Sequence, residues 1–422
     1  MNHFVYVVSF DLIRSGEPPI SYAVGSLIAS LSDRQAFPYQ LRNMSFQLLQ
    51  PSGNRQAVQS EIDAFIEKVV SESVHAIAIG AYVWAEREVQ YLIKRLREAG
   101  FHDRIILGGY QISYDDASLL DSHYPSVDVF ISGYAEDSLF QAIMAPASAL
   151  QKIYSDTPNF QHLPSPYSSG VIPVVAGQKM IRTETRRGCP YRCTFCAHRD
   201  LTQNKVYQIA IERKVSEFEL FQARSVGKIN ILDPIFDSGP ASQELIKELI
   251  AMRFKPQIAL QARFEMLRQK AGVKLLDKLS CLNVKLEFGL QTAVEAESVL
   301  INRRNDLQAA EDALKLVQER DIPLEVSLIY GLPGQTYDSF AQSIDWLQSR
   351  GVKDIKAWPL MLLRGTELQH QKQSLSLQEE RIDDEGFGIP VVTQSYSYSR
   401  SDWERMHRLA SELATGFDER IQ

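Results

Sequence analysis

Cysteine is scarce in this chain, with four residues in 422. That excludes a disulfide-stapled scaffold at this length. Long apolar runs are missing too: nowhere do the roughly 18 consecutive apolar residues of a membrane-crossing helix accumulate. The opening MNHFVYVVSFD has neither the basic head nor the small-residue cleavage site of an export signal, so a cytoplasmic location is expected, with no membrane partner. Positive charge is in deficit, 45 Lys and Arg against 52 Asp and Glu, for a net charge of −7. This disfavours a generic phosphate-backbone binder and leaves a small-molecule or peptide substrate as the expectation. Hydrophobic residues at 45% and charged residues at 23% exclude a mainly disordered chain. At about 150 residues per domain, the length implies two or three units.

Periodicity supplies the organisation. In the first 145 residues, short apolar runs (4–10, 41–49, 75–80, 104–107 and 127–131) alternate with stretches of helical spacing (22–31, 62–70, 88–99 and 138–143). This pattern predicts β-α-β units and a doubly wound parallel sheet. Ligands of such sheets bind beyond the carboxyl ends of the strands, where Gly108, Gly109 and Gly133 fall. Residues 146–178, rich in Pro, Ser and Tyr, read as a linker. Six further strand candidates (180–185, 228–232, 257–262, 285–289, 324–330 and 354–362) alternate with helices, predicting a partial (β/α)6 barrel over 179–368. The remaining residues, 369–422, read as a C-terminal cap.

Three of the four cysteines, Cys189, Cys193 and Cys196, crowd into eight residues just after the first barrel strand, while Cys281 stands alone. Three thiolates at Cys-x3-Cys-x2-Cys supply three ligands to a centre that usually wants four. In a four-iron cluster this leaves one iron open to a chelating small molecule. A zinc site completed by His198 is the alternative, although structural zinc usually gathers paired Cys-x2-Cys units.

The run ETRRGCPYRCTFC (184–196) resembles the signature of the radical S-adenosylmethionine (SAM) superfamily. The likeness continues in register through ILDPIF (231–236), LQARFE (260–265), EFGLQT (287–292), SLIYGLPGQT (327–336) and RGTEL (364–368). It implies that Cys189, Cys193 and Cys196 hold a [4Fe-4S] cluster and that Phe195 packs near the adenine of SAM. It further implies that Asp233, Arg263, Glu287 and Gln291 line the SAM or substrate site. Each has a purely structural alternative: a helix cap for Asp233, mutual pairing for Arg263 and Glu287, loop satisfaction for Gln291.

The amino half is similar to the cobalamin-binding domain that precedes the radical domain in one branch of that superfamily, through PPISYAVGSLIASL, IAIGAYVW, ILGGYQIS and ISGYAED. Tyr82 and Trp84 are its candidates for packing against the corrin, or for packing between domains. Gly108, Gly109 and Gly133 would let backbone approach the ring. The segment DLIRSG (11–16) has no His, so cobalamin would bind without a protein His lower ligand. These resemblances imply a radical SAM enzyme that releases a 5′-deoxyadenosyl radical, most readily for cobalamin-dependent methyl transfer to an unactivated carbon. A radical cyclase, ring rearrangement or mutase stays open, as does a non-catalytic corrinoid or iron-sulfur carrier. The implied electron donor is a flavodoxin or ferredoxin.

Overall fold

The computed structural model describes residues 3–35, 37–48, 55–198, 204–382 and 389–418. It divides into two units, Met1–Val175 with Ile382–Ile389, and Ala176–Arg381 with Pro390–Gln422.

In the first unit β1 (Phe4–Asp11), β2 (Gln40–Gln47), β3 (Val74–Gly80), β4 (Arg104–Gly108), β5 (Val129–Ile131) and β6 (Ile153–Tyr154) form one sheet in the order β2-β1-β3-β4-β5-β6. Every pairing is parallel. Alternate residues of each strand enter opposite cores, since successive side chains of a strand point to opposite faces. Tyr6, Val8, Phe10, Ile77, Ile79, Ile105 and Leu107 pack in one core; Val5, Ala76, Ala78, Ile106 and Ile131 pack in the other. The covering helices are α1 (Tyr22–Ser32), α2 (Arg55–Ser71), α3 (Glu86–Glu98), the short α4 (Tyr110–Ser113) and α5 (Leu120–His123), and α6 (Glu136–Met144). Helix α3 shows why such segments are helical. Val89, Leu92, Ile93 and Leu96 make one buried stripe, with Glu86 and Glu88 in the first turn and Arg95 and Arg97 in the last, matching the helix dipole.

Residues 146–175, expected as part of a linker, belong instead to this first unit. Strand β6 extends the sheet beside β5, and Tyr154, Phe160, Tyr167 and Ile172 are buried. A two-residue strand is too short to leave a periodic trace in sequence.

The second unit opens with β7 (Met180–Thr183), followed by a small antiparallel ribbon of β8 (Arg186–Arg187) and β9 (Tyr207–Gln208). Strands β10 (Lys228–Ile231), β11 (Gln257–Ala262), β12 (Val284–Gln291), β13 (Leu324–Tyr330) and β14 (Ile355–Pro359) then add to β7 in chain order, all parallel. Helices α7 (Ile211–Ala223), α8 (Pro240–Ala251), α9 (Lys270–Leu279), α10 (Glu295–Leu300), α11 (Leu307–Gln318) and α12 (Tyr337–Gln348) lie between them, giving the expected half-barrel. After the short α13 (Glu367–His370) come β15 (Gln378–Ile382), β16 (Ile389–Gln394) and α14 (Arg400–Asp418). Helix α14 packs on β13, β14 and α12, so much of the expected cap completes the helical layer. Among the described residues no helix is long and apolar enough to cross a membrane.

Strand β12 sets the chemistry of the barrel's two faces. Leu286, Phe288 and Leu290 are buried, while Lys285, Glu287, Gly289 and Gln291 alternate with them on the half-buried face. On that face Glu287 stands in register with Glu325, and Lys285 Nζ reaches both Glu325 and Asp354 at 2.7 Å.

Candidate functional site

The three clustered cysteines sit on one loop whose base is tied at several points. Arg186 and Arg187 pair with Gln208 and Tyr207 in the β8–β9 ribbon, and Ile209 N–H donates to Thr185 O at 3.0 Å. Beneath the ribbon Asp233, with no exposed surface, accepts from Thr185 N–H at 2.6 Å, Arg186 N–H at 3.2 Å and the Thr185 hydroxyl. The Arg186 side chain, also buried, continues to Asp237 and Ser242. Gly188, at φ +84°, then turns the chain into Cys189.

Further along, the loop is stitched to two distant segments. Thr194 N–H donates to Ile301 O and its carbonyl accepts from Leu368 N–H, both at 3.0 Å. Asn302 Nδ2 donates to Arg192 O at 2.8 Å, and Arg303 Nη1 lies 3.8 Å from Cys193 Sγ. Asn305 Nδ2 bonds the carbonyls of Leu290 and Thr292, so the run INRRN (301–305) bridges the cysteine loop and the end of β12. Tyr191 is capped by the Arg263 guanidinium, 3.9 Å from the ring centroid, and Arg263 is paired with Glu265 at 3.2 Å.

All three cysteines are free. Burial pushes the thiols of Cys189 and Cys196 up, the latter to about 11, so a bare thiolate is disfavoured there. Among the described residues no three His, Cys, Asp or Glu side chains are grouped to hold a single metal ion.

At the carboxyl edge of the first sheet, Tyr82 and Trp84 stack face to face, centroids 4.7 Å apart and rings 2° from parallel. Trp84 Nε1 donates to Phe10 O at 3.1 Å, and Tyr110 meets the Tyr82 ring edge-on. Gly109 has φ +104°, and a Cβ there would lie 2.5 Å from Ala81 O. Gly133, at φ +85°, has open space where its Cβ would be; Gly108 makes only ordinary contact with Ile131.

Residues 183–347 match the family model described as the Radical SAM superfamily. They are a radical SAM domain. Two curated relatives resemble the wider chain. One is the cobalamin-dependent radical SAM methyltransferase TokK of Streptomyces tokunonensis, 23% identical over 394 residues, 82% of this chain and 56% of the relative. The other is the 2-(S-pantetheinyl)-carbapenam-3-carboxylate methyltransferase of Streptantibioticus cattleyicolor, 22% identical, over 78% of this chain and 54% of the relative. The chain thus spans little more than half the length of each. Among solved structures, the radical SAM methyltransferase TsrM from Kitasatospora setae aligns with a TM-score of 0.70 at 14% identity, covering 98% of this chain and 89% of that one. OxsB, a cobalamin-dependent SAM radical enzyme, aligns with 0.69 at 14% identity, covering 99% and 67%. At such identity these likenesses speak to the fold, which extends over both units.

Within the radical SAM domain, the residues expected to line the SAM or substrate site separate. Arg263 and Gln291 lie at strand ends and Glu287 midway along β12, with Glu287 and Gln291 on its half-buried face; half-buried Phe195 lies on the cysteine loop. Asp233 is buried, and every observed bond of its carboxylate goes to residues 185–186, so it fastens the base of the loop. Arg263, which the structural alternative would pair with Glu287, is paired with Glu265. Burial and neighbouring Glu325 push the Glu287 carboxyl up. The INRRN segment was missed, since a polar run after a helix looks like any solvated loop.

Proposed function

We propose that this chain is a radical SAM enzyme that carries out cobalamin-dependent methyl transfer to an unactivated carbon. The observation that carries the reading is the cysteine loop: three free, partly buried thiols held at fixed points beside the half-buried Arg303 guanidinium. The donor set fits a [4Fe-4S] cluster with one open iron, because metal binding removes the thiol protons that burial retains and gives Arg303 an anionic neighbour. Bound there, such a cluster supplies the electron that cleaves SAM to methionine and a 5′-deoxyadenosyl radical, and a corrinoid supplies the methyl group.

The rest falls to the chain's own side chains. Gln291 and Glu287 present an amide and a half-buried carboxyl to a bound SAM or substrate, and Arg263 with Tyr191 roofs the loop. On the first unit Tyr82 and Trp84 offer a flat apolar surface, and the open backbone at Gly133 permits close approach of a wide ring. The likeness to TokK, TsrM and OxsB supports a corrinoid in that role.

The test is anaerobic reconstitution with iron, sulfide and cobalamin, followed by metal, sulfide and corrinoid analysis and then by SAM cleavage. About four irons, stoichiometric corrinoid and release of 5′-deoxyadenosine are expected. Cys193→Ala should lose iron and SAM cleavage while the first unit keeps its fold and its corrinoid. Iron without corrinoid would overturn methyl transfer in favour of rearrangement chemistry. Cofactors without SAM cleavage would make the protein a carrier.

A further inference from the structure

Arg303 is a half-buried cation whose Nε is fully enclosed, and among the described residues no carboxylate forms an ion pair with it. Its Nη1 points at Cys193 Sγ (3.8 Å), its Nη2 donates to Gly289 O, and its buried Nε has no partner. Nearby Glu265 is already held by Arg263, whose own charge repels Arg303. Burial disfavours its charged form, yet a guanidinium does not deprotonate in proteins. A desolvated charge without a compensating partner is destabilising.

The surrounding backbone is shaped to keep it there. A Cβ on Gly289 would lie 3.2 Å from Nη2, and the β12–β13 register shifts between Gly289 and Gln291. Just ahead of it Ile301 and Asn302 bond the cysteine loop, and just after it Asn305 bonds the end of β12, which fixes the approach of the side chain between them. A purely structural arginine would be expected to end on a carboxylate. This one ends on a sulfur.

We infer that Arg303 is the counter-cation of the iron-sulfur cluster, a positioning residue that acts through Cys193 Sγ and raises the cluster's reduction potential. The inference rests on the reading that Cys189, Cys193 and Cys196 hold a four-iron cluster. Reduction adds negative charge to the cluster, so a fixed positive charge and an N–H donor at one ligand sulfur favour the reduced state. The N–H donation falls on Cys193, while the charge of Arg303 also acts on Cys189 and Cys196.

The experiment uses the full chain, reconstituted anaerobically with iron and sulfide, as wild type, Arg303→Gln and Arg303→Lys. The cluster's midpoint potential is read by electron paramagnetic resonance in a potentiometric titration without SAM, and SAM affinity is read separately by equilibrium dialysis. Arg303→Gln is expected to shift the midpoint to more negative values with about four irons retained, and Arg303→Lys to restore part of the shift. Loss of iron from both variants with native circular dichroism would also support a counter-cation. An unchanged midpoint in Arg303→Gln with an intact cluster would overturn the inference, and doubly so if SAM affinity alone fell. If the wild type takes up no four-iron cluster, it is the proposed function that fails.

Discussion

Asp233 grips Thr185 twice, accepting its backbone N–H at 2.6 Å on one carboxyl oxygen and its hydroxyl on the other. The end of β7 is thereby bound to the loop after β10, four residues ahead of the first cysteine. Both partners are buried, so the contact fixes where the cysteine loop begins, and the Arg186–Asp237–Ser242 chain widens the same footing.

This footing carries a pH signature. Burial raises the Asp233 carboxyl from its ordinary 3.8 to about 6, against the opposing pull of Thr185 and Arg186. A folded-state value above the unfolded one contributes stability that is complete below about pH 4 and lost as pH rises through 6. Two units correspond to about 3 kcal/mol. Urea unfolding of the apo chain should therefore show wild type losing about that much stability relative to Asp233→Asn between pH 4 and 7. A pH-independent difference would show that Asp233 stays ionised throughout.

The three glycines at the first sheet's edge should part company. Gly109→Ala places a Cβ 2.5 Å from Ala81 O at φ +104°, and should destabilise the protein by about 2 kcal/mol or more. Gly108→Ala meets only an ordinary contact and should be nearly neutral. The Cβ of Gly133→Val meets nothing within 4 Å; beyond the roughly 1–2 kcal/mol for its positive φ, its effect should fall on corrinoid retention after gel filtration. Equal retention by Gly133→Val and wild type would remove Gly133 from the corrin surface.

These contrasts mark what was readable in sequence. Period-2 and period-3.6 patterns placed the main strands of the two parallel sheets, because each one alternates between a helix-covered face and another face or core, but not β15 and β16, which fell in the stretch read as a cap. Cys189, Cys193 and Cys196 were legible because metal ligands are few and their spacing is local. Arg303 was not: its role depends on contacts 14 residues away at Gly289 and 110 away at Cys193. Asp233 was noticed, but its bonds into the base of the cysteine loop were not, since a motif position does not say which way a carboxylate turns. Strand β6 stayed hidden because its pairing with β5 is long-range and two residues long.

Gln291 offers the sharpest separation of stability from function. It sits at φ +71°, in the left-handed region where a residue with a Cβ costs roughly 1–2 kcal/mol, at the end of β12 where the pairing register shifts. Its amide is folded back over Gly289, so close that a Cβ there would come within 2.5 Å of Nε2. Glycine would relieve the strain at 291 and, after its own larger unfolded-state entropy, should leave the protein equally or slightly more stable. Strain of this kind persists where the side chain has a task. Gln291→Gly should accordingly hold or raise the melting temperature of the reconstituted protein while weakening SAM binding roughly tenfold, the equivalent of about one hydrogen bond. Equilibrium dialysis of SAM beside a thermal melt reads both. A lower melting temperature with unchanged affinity would make Gln291 a scaffold residue, its left-handed backbone a consequence of the bulge alone.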